Sequence, residues 1–84
     1  MIQSHLYAKQ PETPLFAARD EGQLITMLGK GNWLGVFENT GTWLHVLTIQ
    51  GEGWVKAEHV EERSPFNLHV RWEPGKQIEY VSAA

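Results

Sequence analysis

Four histidines, His5, His45, His59 and His69, are the residues of this chain best suited to hold a metal or pass a proton. A zinc site usually draws on a helical i, i+4 pair or a close cluster of ligands. None of the four histidines has that spacing. His45 and His69 meet only if their strands pair across the fold, so all four read as surface histidines and no metal is expected. The chain has no cysteine, which removes thiolate ligands, thiol nucleophiles and disulfides together. Ser4, Ser64 and Ser82 sit in no Gly-x-Ser-x-Gly turn. There is no phosphate loop and no glycine-rich dinucleotide fingerprint. Glu12, Asp20, Glu21, Glu38, Glu52, Glu58, Glu61 and Glu62 fall mostly in turns and ends, where charge is solvated, and they form no acid–base dyad. The expectation is a non-catalytic protein without a cofactor.

Aromatic residues offer the other chemistry, contact with a ligand. Four tryptophans in 84 residues is a high count for a small domain. Such a domain hides only about 60% of its unfolded surface, so a few large rings supply much of its packing. Trp54 is expected in the core. Tyr7, Trp43 and His59 are candidates for a shallow binding groove, with Trp33 as a fourth wall. Trp72 is expected to cover the body of the fold.

The elements that position these residues read as short strands. His5–Ala8 is a first strand, and the two prolines in 9–14 suit a loop, because proline cannot donate to a ladder. Leu15–Ala18 is short and apolar, and Arg19–Gly22 is a polar turn. Gln23–Leu28 has large aliphatics at both parities, as in a strand buried on both faces. Gly29-Lys-Gly31 interrupts, Trp33–Phe37 is the next strand, and Glu38–Gly41 is a turn. Trp43–Gln50 and Gly53–Lys56 form a hairpin about a tight Gly-Glu-Gly turn. Ala57–His59 suits one 3₁₀ turn, and Val60–Glu62 a short strand. Past a boundary at Ser64-Pro65, Leu68–Trp72 and Gln77–Val81 flank Glu73-Pro-Gly-Lys76, a type II turn pattern, and read as a second hairpin. The domain plan is therefore 1–63 for the main body and 64–84 for a hairpin extension, packed on that body or on a partner chain.

Several of these pieces resemble the bacterial Src-homology-3 (SH3-like) family over residues 5–62. Leu28-Gly-Lys-Gly31 fits its Leu-x-x-Gly, Trp43-Leu-His-Val46 its Trp-x-x-Val, and Gly53-Trp-Val55 its Gly-Trp-Val, in the family's order. The resemblance implies an all-β fold: a small five-stranded barrel, here with a C-terminal β-hairpin extension. It also implies a binding role. Against the proline-reading branch, Trp43 matches the groove tryptophan and Leu6-Tyr7 the first tyrosine position. Lys56 replaces the groove proline, His59 the groove tyrosine and Lys9 the second first-strand tyrosine. Thinned aromatic ridges argue against a plain Pro-x-x-Pro ligand.

The function expected is a binding module for a peptide, a cell-wall stem peptide or a protein partner. Glu12, Asp20 and Glu21 in the loops favour a basic ligand. The alternative is a small self-associating or assembly subunit that docks through the 64–81 hairpin, whose sequence carries Phe66, Leu68, Trp72, Ile78 and Tyr80. A formal net charge of -3 with scattered basic residues argues against nucleic acid. No stretch is long and apolar enough to span a membrane as a helix. No signal peptide is legible, which suggests the cytoplasm. A mature secreted domain behind a new methionine would read the same way and would belong to the cell envelope.

Overall fold

Alternation along a strand decides which side chains turn inward. On β4 (Trp33–Asn39) these are Leu34 and Val36, on β5 (Trp43–Thr48) Leu44 and Val46, and on β6 (Gly51–Lys56) Val55. Leu15 of β2 (Thr13–Phe16) and Leu28 of β3 (Leu24–Leu28) join them in a buried, wholly aliphatic cluster. Leu6 of β1 (Ser4–Ala8), Ala57 of the 3₁₀ turn Ala57–His59, and Val60 of β7 (Val60–Glu61) pack against it.

The computed structural model describes residues 2–20, 22–62, 68–71 and 73–82, without the side chains of Leu68, His69 and Ser82. Glu21, the Ser64-Pro65 boundary, Phe66 and Trp72 lie outside the described residues. Seven antiparallel strands follow the order β3-β2-β6-β5-β4-β1-β7 in one sheet, which curls into a half-barrel. The family resemblance implies five strands, whereas this sheet has seven: Val60–Glu61 is the short strand the residues suggest, and Thr13–Phe16 is a further one that takes Thr13 and Pro14 out of the expected 9–14 loop. The described residues contain no α-helix.

Two local expectations need correction. β3 is not buried on both faces. It is the end strand of the sheet, with β2 as its only described neighbour, and Leu24, Ile25 and Met27 remain 46%, 46% and 50% exposed. A strand with one neighbour and few residues packed above it keeps its aliphatics in water whatever their type. The turn of the central hairpin is also displaced. Thr48 pairs with Gly51, so the turn residues are Ile49 and Gln50, and Gly51-Glu-Gly53 belongs to β6. The Thr48 hydroxyl stabilises this tight connection. It accepts from the Gln50 amide at 3.0 Å and donates to the Gly51 carbonyl at 2.8 Å.

Two glycines leave space that a Cβ would fill, one for a neighbouring strand and one for an indole. A Cβ on Gly53 would lie 2.7 Å from the Phe16 carbonyl oxygen, where β2 crosses β6. A Cβ on Gly35 would lie 2.6 Å from the Trp33 indole of the same strand and 2.7 Å from the Ile2 side chain. In the C-terminal region, β8 (Leu68–Arg71) and β9 (Glu79–Ser82) pair antiparallel as a separate two-stranded sheet. The Lys76 amide donates to the Glu73 carbonyl at 3.0 Å and Gly75 has φ of 82°, as a type II turn requires.

Candidate functional site

The face of the sheet opposite the aliphatic cluster is aromatic. Register places it: His45 pairs with Trp54, Trp43 with Lys56, Phe16 with Trp54, and Tyr7 with Trp33. Cross-strand partners point to the same side. Trp33, Trp43 and Trp54 therefore share one face, and the aliphatic cluster holds none of them.

At the β1–β4 end this face is closed. Trp33 is 0% exposed. Its indole covers Gly35 beside Ile2, and its Nε1 donates to His5 Nδ1 at 2.9 Å. Its backbone N–H lies beyond the residues that β5 pairs with on β4, so no strand carbonyl there receives it. The Tyr80 hydroxyl of β9 accepts that hydrogen bond and ties β9 to the seven-stranded sheet. Tyr7, across from Trp33, is 6% exposed, and burial raises its pKa. The Tyr80 pKa is also raised, chiefly by burial. The bond from Trp33 opposes that rise, and the nearby Tyr7 charge adds to it.

The β5–β6 end is more open. Trp54 is half-buried and stacks on His45, with ring centroids 4.9 Å apart and planes 16° apart. Phe37 lies against His45 at 5.3 Å, next to the bulge in the β4–β5 pairing. The Arg19 guanidinium sits 5.7 Å from the Trp54 ring centre. His45 Nε2 is 3.3 Å from Glu52 Oε2. Beside this ladder Trp43 is 6% exposed, because Phe16 meets it edge-on at 5.7 Å and the Lys56 ammonium lies 5.8 Å above it.

Of the four groove residues read from the sequence, only Tyr7 and Trp33 are neighbours, and both are inside the packing. Trp43 belongs to the other end of the same face. His59 closes the 3₁₀ turn, with its Nε2 3.6 Å from Glu58 Oε1 and its carbonyl receiving the Lys9 amide. Among the described residues no ring contact or hydrogen bond joins Trp43 or His59 to Tyr7 or Trp33. Glu12 and Asp20 are exposed, as loop acids should be. The expected core position of Trp54 is corrected: Gly53 and Val55 face inward, so Trp54 between them faces outward. Its pairing with His45 went unseen because a turn centred on Glu52 would have set Trp54 against Gln50. His45 and His69 do not lie on paired strands, since β8 pairs with β9. Among the described residues no three His, Asp or Glu come together as a metal-ligand group. No described helix is long and apolar enough to cross a membrane.

Comparison with protein-family models gives no match, and comparison with curated proteins and with solved structures gives none either.

Proposed function

We propose that this chain is a non-catalytic binding module of bacterial SH3-like type, which takes a peptide segment of a partner or of the cell wall on its aromatic face. The open β5–β6 end is the contact surface. One observation carries this reading: the Trp54–His45 stack on the face opposite the aliphatic cluster, both residues only partly buried. Stacked rings left partly exposed give a ligand apolar area and orientation at low entropic cost. Trp43, Lys56 and Arg19 border the stack. The net charge of -3 and the exposed loop acids Glu12 and Asp20 favour a ligand with basic groups. Lys56 and His59, in place of groove proline and tyrosine, point away from a plain proline-rich ligand.

Amide and indole spectra of the full chain, titrated separately with a lysine-rich peptide and with a peptidoglycan stem peptide, test this. One of the two is expected to shift the Trp54 indole and the His45 amide while leaving the Trp33 indole in place. Shifts confined to the Tyr7–Trp33 end, or none with either probe, overturn it. Assembly through the 64–81 hairpin is less favoured, because Tyr80 of that hairpin is already engaged with Trp33 of the same chain.

A further inference from the structure

The β3 edge is the feature that neither the aromatic face nor the aliphatic core accounts for. Four large hydrophobic side chains are exposed among the described residues, and three of them, Leu24, Ile25 and Met27, stand on this one strand. It ends the sheet, and no described strand pairs with its outer edge. Edge strands are normally blunted by lysine, proline or an inward charge. Gln23–Leu28 has none of these. A bulge is present, since Leu15 pairs with Thr26 and Phe16 with Leu24, leaving Ile25 as the extra residue. It twists the strand without adding charge.

We propose that β3 pairs antiparallel with β3 of a second copy of this chain about a two-fold axis near Thr26. Two features select that occupant. First, the pattern is self-complementary: the axis sets Ile25 of each copy against Met27 of the other, the cross-strand apolar contact that stabilises such pairs. Second, the strand is flanked by opposite charges. Asp20 precedes it and Lys30 follows it, and both are exposed. An antiparallel arrangement brings the Lys30 end of each copy to the Asp20 end of the other, whereas a parallel one sets like charges together. A C2 interface of this kind uses the same patch twice and closes without forming a fibre. One short strand per copy buries less than the roughly 1,200 Å² of a standard stable interface, so the dimer is a weak, concentration-dependent one.

Sedimentation equilibrium of the full chain, up to on the order of 1 mM, the weak end of measurable affinity, tests the proposal together with concentration-dependent amide shifts. The expected result is a mass rising from monomer towards dimer, with shifts centred on residues 24–28. Ile25→Lys and Met27→Lys, both at exposed positions, abolish the rise while the thermal midpoint stays near that of the parent. Lys30→Glu weakens association several-fold, because it sets acid against acid. A chain that stays monomeric throughout overturns the proposal. So does a dimer that persists in both lysine variants, or one whose shifts fall on 68–82, which would assign association to the C-terminal hairpin.

Discussion

Trp33 and Trp54 stand on the same face of one sheet, on the two strands that flank β5, yet their surroundings differ in kind. Trp33 is sealed by Ile2, His5 and the Tyr80 hydroxyl, and both its ring and backbone N–H groups are bonded. Trp54 has His45 and Arg19 about it and keeps part of its surface in water. The difference comes from chain that lies far away in sequence. Tyr80 of β9 reaches Trp33 at the β1–β4 end of the face, whereas Trp54 at the β5–β6 end has His45 and Arg19 about it. Trp43, on the same face, is buried by Phe16 and Lys56 rather than by the tail, so what lies above each ring, and not the face it stands on, sets its exposure. The aliphatic cluster on the other side frees the rings for either role.

The sharpest way to break this contrast is to truncate each tryptophan. Trp33→Ala is expected to cost about 3–5 kcal/mol, because it empties a fully enclosed space, and urea unfolding would read it. If that loss is below about 1 kcal/mol, the closed end is not closed. Leu44→Ala, from the aliphatic cluster, should cost about 2–5 kcal/mol, so that both closed regions respond alike. Gly53→Ala comes next, at about 1–3 kcal/mol, since its Cβ meets a backbone oxygen that cannot rotate away.

Tyr80→Phe sharpens the role of the tail. It leaves the Trp33 N–H without its acceptor, at a cost of about 1–3 kcal/mol, and hydrogen exchange at that amide should rise. The pH dependence follows from the same contact. The folded pKa values of Tyr80 and Tyr7 are raised above the ordinary tyrosine value, mainly by burial. The unfolded chain therefore ionises first, at about pH 10. The stability linked to these groups is fully present below that pH and is lost as pH rises through the raised folded values. Chemical unfolding between neutral and strongly alkaline pH would check this, and Tyr80→Phe should flatten the alkaline decline. The smallest effect belongs to Trp54→Ala. It removes a cross-strand ring pair worth about 0.2–1 kcal/mol while abolishing peptide-induced shifts at His45. A variant that binds as before would move the contact surface elsewhere.

Much of this was legible in the residues. The strands read at 5–8, 33–37 and 43–50, found at 4–8, 33–39 and 43–48, the 3₁₀ turn at 57–59 and the Glu73–Lys76 turn follow from alternation, glycine placement and turn chemistry. The candidate site was read less well, and one local choice explains most of the error. Glycine on either side of Glu52 drew the turn to that point, although Thr48 had the hydroxyl to tie a turn at Ile49-Gln50. The two placements differ by an odd number of residues in pairing register, and an odd shift exchanges the faces of a strand. With the turn at Glu52, Trp54 faces the core. With the turn at Ile49-Gln50, Val55 does, and Trp54 stacks on His45 across the outer face.

By itself the sequence determined that the chain is all-β and that aliphatics at alternate positions supply its core. Those properties are local, set by residue type and by period. Only the tertiary structure decided which tryptophan is sealed and which is accessible, and that β3 ends the sheet with its aliphatics in water. Exposure depends on what other chain segments lie above a residue, and no periodicity within one strand records that.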